Sequence, residues 1–168
     1  MIYKKTISSP LGNILLSSDG EALTGLWFEG QKYFAATLDA KEESTEKNLP
    51  IFEQVEDWLT IYFSGQEPDF MPPLSLPGTP FRQAVWDILL AIPYGTTVSY
   101  GDIARQLELK SNGKRVSARP VGGAVGHNPI SLLVPCHRVI GGNGNLTGYA
   151  GGIDRKVELL KLEGFLGR

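Results

Sequence analysis

The stretch from Gly65 to Phe81, GQEPDFMPPLSLPGTPF, holds five of the chain's eleven prolines. Proline fixes φ and removes a backbone donor, so no regular helix can run through this stretch. It reads as an extended linker over 66–79, dividing the 168 residues into an N-terminal part, 1–65, and a C-terminal part, 80–168. The length suits one domain or two small ones.

The N-terminal part opens with IYKKTISSPLGNILLSSDGEALTGLWFEG, short apolar runs punctuated by turn signals at SPLGN and SDGEA, which predicts a meander of three strands. The polar DAKEESTEKNLP is expected to be loop. In IFEQVEDWLTIYF, Phe52, Val55, Leu59 and Tyr62 share one helical face, with Trp58 and Phe63 beside it. The C-terminal part starts with Thr79 as a helix cap and Pro80 in the first turn, then FRQAVWDILLAI with Phe81, Val85, Trp86 and Leu89 on one side. Ser99 and Asp102 form a capping-box start for YGDIARQLEL. The basic KSNGKRV leads to Ser117 and the small-residue segment ARPVGGAVGHN. Two helices joined by a polar loop predict a helix-turn-helix. A last helix, DRKVELLKLEG, has Val157, Leu160 and Leu159 or Leu162 at helical spacing. The expected class is α/β (α+β), a small strand-rich domain followed by a mostly helical one.

The net charge of −2 conceals an asymmetry: six Lys and Arg against thirteen Asp and Glu over 1–99, then ten against five over 100–168. A polyanion is a reasonable partner for the second half, and an uneven surface without a partner is the alternative. One cysteine excludes an internal disulfide and suits a reducing compartment. With two histidines, His127 and His137, it cannot build a zinc site without a carboxylate cluster, so no metal is expected. The start, MIYKKTISSPLG, lacks a signal-peptide apolar run, and no segment approaches the ~20 apolar residues that span a bilayer. The expected location is the cytoplasm.

A lone cysteine is most often a small buried hydrophobe. Three features point Cys136 elsewhere. LLVPC reads as a strand ending in proline, which would deliver the thiol at a strand terminus. His137 and Arg138 follow at once, and positive or imidazole neighbours favour the thiolate. The glycine-rich GGNGNLTG beyond lets backbone approach a flat ligand. Gly122 and Gly123, inside a helix they weaken, likewise suggest a close approach to that backbone.

The sequences GTPFRQAVWDILLAIPYGTTVSYGDIA, SARPVGGAVGHNPISLLVPCHRVIG and LTGYAGGIDRKVELLKLEG resemble, in this order, the O6-alkylguanine-DNA alkyltransferases over roughly Pro80–Gly164. The first 65 residues resemble that family's variable N-terminal domain only loosely. The resemblance implies a single-turnover repair protein with no cofactor, acting as a monomer on double-stranded DNA that contains alkylated guanine, and with no membrane role. Cys136 would be the nucleophile, His137 its base through a water, and Glu163 the acidic partner that orients the histidine. Tyr100 would protonate the departing guanine, and Asn128 would brace the active-site turn. Arg119 would be the finger that fills the space of the extruded base. Ser117, Gly122 and Gly123 would lie against the minor groove, with phosphate contacts from Lys114 and Arg115. Val139, Tyr149, Ala150 and Arg138 would surround the base.

The loop across 110–116 is longer than in many members, Pro120 stands where alanine is common, and Ala150 stands where some have serine. The zinc-binding residues of some relatives are missing. Rival readings are an alkyltransferase-like lesion binder, an alkylation-sensing regulator and a redox-sensing thiol protein. The presence of Cys136 and the absence of a regulatory segment count against the first two.

Overall fold

The computed structural model describes residues 1–39, 44–146 and 148–165, which form two compact units. The first comprises Met1–Pro77 together with Pro129–Ser131. Its sheet has β1 (Ile2–Ile7), β2 (Ile14–Ser18), β3 (Leu23–Phe28) and β4 (Ser44–Glu46), in the order β3-β2-β1-β4. The two hairpins close where the sequence signals them. Ser9 and Gly12 exchange backbone bonds across the first turn, and Asp19 accepts the amides of Glu21 and Ala22 in the second. β4 runs parallel to β1, so Ser44–Glu46 is strand where loop is expected. Three polar residues carry no apolar alternation; only pairing with β1 makes them a strand. Residues 40–43 of that stretch lie outside the described ones.

The helix α1 (Pro50–Phe63) buries Ile51, Phe52, Val55, Trp58, Leu59 and Tyr62, and the Lys5–Glu56 ion pair at 3.0 Å ties it to β1. The proline-rich stretch is extended as its composition demands, but it is not free. Leu74 bridges to Leu23, with Leu23 N–H on Pro73 O and Ser75 N–H on Leu23 O, both 2.9 Å. The first unit therefore continues past residue 65 to Pro77, because a proline-bearing strand can still use an edge.

The second unit, Gly78–Asn128 and Leu132–Arg168, has α2 (Pro80–Leu90), α3 (Tyr100–Lys110), α4 (Ala118–Gly126) and α5 (Ile153–Leu162). Thr79 caps α2 by accepting Arg82 N–H, and Ser99 and Asp102 complete a full capping box on α3. α2 buries Val85, Trp86, Ile88 and Leu89, whereas Phe81 in its first turn stays exposed, lining an open pocket with Leu107 and Pro120. The helix-turn-helix forms. Its loop includes Asn112 and Gly113 at positive φ and is tied by Val116 N–H to the Glu108 carboxylate at 2.9 Å.

α4 is helical despite three glycines and a proline. Pro120 falls in the first turn, where its missing N–H would be unpaired in any case. Val121, Ala124 and Val125 are buried, and the Trp86 indole donates to Ala124 O at 2.9 Å. No helix among the described residues is long and apolar enough to cross a membrane.

Candidate active site

The segment that carries the cysteine is turn rather than strand. Residues 129–139 are all buried, but Ser131–Val134 is irregular, with Leu132 in the left-handed region at φ 71. Pro135, at φ −82 and ψ 64, sits at the centre of an inverse γ-turn closed by Cys136 N–H on Val134 O at 2.8 Å. Proline pre-sets that φ, and a single turn of 3-10 helix, Cys136–Arg138, follows. The Asn128 amide donates to the same Val134 oxygen at 2.9 Å, so it braces the turn from behind. A turn lets consecutive side chains leave on one side, which an extended strand forbids.

Immediately after the turn, β6 (Val139–Ile140) pairs in parallel with β5 (Val98–Ser99), Val98 opposite Val139 and Ser99 opposite Ile140. Tyr100 follows β5, so this two-stranded ladder sets the phenol beside the thiol's turn. The phenol is raised above its ordinary pKa, chiefly by burial and then by the negative charge of an ionised Cys136. A Cβ built at Gly148 would lie 2.9 Å from the Tyr100 hydroxyl, and Gly148 has φ +92. Glycine there meets two demands, a left-handed backbone and a close approach.

Cys136 is 5% exposed. Burial pushes its thiol up, and the Asn128 amide on the sulfur, the charge of Lys156 and the amides of Cys136 and His137 only partly offset this. Burial outweighs these contributions and favours the thiol form; His137 acts toward the thiolate only through its backbone amide, and the cation that does so is Lys156 rather than Arg138.

His137 is fully buried, with Nε2 and Glu163 Oε2 2.6 Å apart. Burial lowers its pKa, Glu163 opposes this, and the charges of Arg138 and Lys156 add to the lowering. Glu163 caps the C-terminus of α5. Burial alone would raise its carboxyl, but the hydrogen bond of His137 and the hydrogen bonds and charge of Arg138 together hold it well below the usual carboxylate range.

Lys156 is the residue that sequence reasoning missed. It is fully buried, donates to the Val139 carbonyl, and is pushed down to about 8 by burial, with the charge of Cys136 resisting. The signal was geometric: Lys156, Leu160 and Glu163 follow i, i+4, i+7 spacing and all are buried, whereas Val157, read as the inner position, is only half-buried.

The residues expected around a base divide. Val139 is fully buried, with its N–H on Cys136 O and its C=O on Lys156, so it is part of the framework. Arg138 is corrected in the same way, because its guanidinium points to Glu163 and Ile92 rather than to open space. Tyr149 and Ala150 are half-buried, and the Tyr149 ring meets His137 edge-on at 6.5 Å between centroids.

On the helix-turn-helix, Lys114, Arg115, Ser117, Arg119 and Gly123 are exposed together at the loop and the start of α4. A Cβ at Gly123 would meet nothing within 4 Å, while one at Gly122 would reach the Tyr100 ring at 4.0 Å. Among the described residues no cluster of three metal-ligating side chains occurs.

This arrangement is that of a thiol site set into a helix-turn-helix unit, with the imidazole held by a buried carboxylate. Family models match both parts of the chain: 6-O-methylguanine DNA methyltransferase, ribonuclease-like domain, over residues 2–76, and its DNA binding domain over residues 80–165. The chain belongs to the 6-O-methylguanine DNA methyltransferase family. It is 46% identical to the methylated-DNA–protein-cysteine methyltransferase of Mycobacterium tuberculosis, over 97% of this chain and 93% of that one. It is 42% identical to that of Methanosarcina acetivorans, over 97% and 99%. A crystal structure of Mycobacterium tuberculosis OGT in complex with DNA superposes with a TM-score of 0.82 at 46% identity, covering 96% of this chain and 92% of that one.

Proposed function

We propose that this protein repairs alkylated DNA by moving the alkyl group from guanine O6, and from thymine O4 where it occurs, onto Cys136 in a single turnover. The observation that carries the reading is the buried series of Cys136, the adjacent His137 and Glu163, with the imidazole held at 2.6 Å by the carboxylate. A thiol that rests protonated needs a base. Glu163 holds Nε2, so the proton of Cys136 leaves toward Nδ1 through a bridging water. The thiolate attacks the alkyl carbon, a C–S bond forms, and the C–O6 bond breaks with its electron pair going to the base. Tyr100, whose raised pKa keeps its proton until negative charge develops, protonates the departing guanine. The proton held on His137 then balances the one Tyr100 has given up, and solvent exchange restores both.

The partner is duplex DNA met from the minor groove. Lys114 and Arg115 neutralise phosphates, small residues let α4 approach, and Arg119 occupies the space of the extruded base, offsetting part of the few kcal/mol that extrusion takes. The protein acts as a monomer in the reducing cytoplasm, which keeps its one cysteine a thiol. No feature of the site favours a lesion binder without transfer, since the nucleophile and its base are both in place.

Incubation with duplex carrying O6-methylguanine is expected to add one methyl mass to the peptide that contains Cys136, with guanine restored in the DNA. Cys136→Ala should abolish the transfer and keep lesion binding. Transfer that survives in this variant would remove Cys136 from the reaction.

A further inference from the structure

Arg138 has a set of partners that the reaction above leaves unused. A carboxylate offers about four acceptor positions, and at least four donors among the described residues lie on Glu163. Oε2 accepts from His137 Nε2 at 2.6 Å and from Arg138 Nη2 at 3.1 Å. Oε1 accepts from Arg138 Nε at 2.8 Å and from Gly95 N–H at 3.0 Å. The guanidinium is itself held from the other side, with Nη1 on Ile92 O at 2.8 Å and its carbon 5.6 Å from the centre of the Tyr94 ring. The fork is thus held from both sides, and any turn of the carboxylate would break its paired bonds to it. A buried ion pair is poor evidence for stability, because desolvation cancels much of its attraction. A two-point clamp on the group that orients a reacting imidazole has another use.

We propose that Arg138 is a positioning residue for alkyl transfer, fixing the Glu163 carboxylate that orients His137 and dividing its negative charge between guanidinium and imidazole. The inference rests on the proposed roles of Cys136 and His137.

The charge argument is direct. An imidazole facing a lone buried carboxylate gains a proton readily, because the resulting pair is neutral. Here the guanidinium has already neutralised the carboxylate, so a proton on His137 leaves a net positive charge in a buried place. Among the described residues, the groups facing His137 include Cys136 and Arg138 on its own turn, Lys156 and Glu163 from α5 and its C-cap, and the Tyr149 ring. Glu163 alone favours the imidazolium, and both cations oppose it. His137 therefore waits neutral, the form that can receive the proton of Cys136.

The test follows the His137 ring by NMR titration in full-length protein carrying Cys136→Ser, with His127→Gln assigning the other histidine. Arg138→Met should raise the His137 midpoint by about one pH unit, roughly tenfold in proton affinity. Arg138→Lys keeps the charge and loses the fork. It should hold the midpoint within about half a unit, while in the protein with Cys136 intact transfer slows about tenfold, as expected for a misplaced base.

If Arg138→Met does not fold, since it strands a buried carboxylate, Glu163→Gln compared with Glu163→Gln/Arg138→Met gives the same measurement, and loss of the guanidinium should again raise the midpoint. A midpoint that does not move, or full transfer in Arg138→Lys, overturns the proposal. Failure of Cys136 to take up the methyl would overturn the reaction instead, and the titration would still report on the clamp.

Discussion

Lys156→Met separates what the buried ammonium does for stability from what it does for the thiol. Its pKa falls from 10.5 to about 8 because no part of it reaches water. A folded value below the unfolded one means that the folded state resists the proton. The penalty is full below pH 8 and is relieved as pH rises from 8 to 10.5, amounting to ~3 kcal/mol at pH 7. Methionine removes that penalty but leaves the Val139 carbonyl without its ammonium donor, a loss of ~1–2 kcal/mol at any pH.

The variant should therefore be ~1–2 kcal/mol more stable than the parent at pH 7, and equal or slightly less stable by pH 10, because the parent recovers ~2–3 kcal/mol over that range. Urea unfolding in reductant at pH 7, 8.5 and 10 measures the difference, and comparing the two proteins cancels the other titrating groups. A difference that stays constant across pH would refute the buried titration. A large loss at pH 7 would mean that the ammonium stabilises the fold outright. Transfer should slow in the same variant, because the thiolate loses the cation acting on it.

Arg119→Ala should slow repair of duplex DNA far more than reaction with free O6-benzylguanine, since the role proposed for this exposed side chain is in extrusion alone; equal losses in single-turnover rates on both would remove the extrusion role. Gly148→Ala should cost ~1–2 kcal/mol through its left-handed backbone and displace the Tyr100 hydroxyl, which a Cβ would meet at 2.9 Å. A melting curve and a single-turnover rate check both effects, and an unchanged rate would take the phenol out of the reaction.

The sequence by itself determined whatever depends on neighbours in the chain. The hairpins at Ser9–Gly12 and Asp19–Ala22, the capping of α2 by Thr79 and the capping box of Ser99 and Asp102 all form where local chemistry places them. Proline confined 66–79 to extended backbone, and the PCHR run with its flanks pointed to the thiol, the imidazole and the carboxylate.

Tertiary structure decided what depends on distant partners. Ser44–Glu46 becomes a strand only because β1 offers an edge. The cysteine segment is a turn because the Asn128 amide and the Cys136 N–H both donate to the Val134 carbonyl, with Pro135 fixing the φ between them. Arg138 faces Glu163, 25 residues away, and Ile92, 46 away, instead of a ligand. Lys156 looks like a solvated helix charge until the fold closes over it. Ionisation is set by desolvation and by charges brought together in space, neither of which is encoded by adjacency, so the chain names the candidate groups and the fold sets their surroundings.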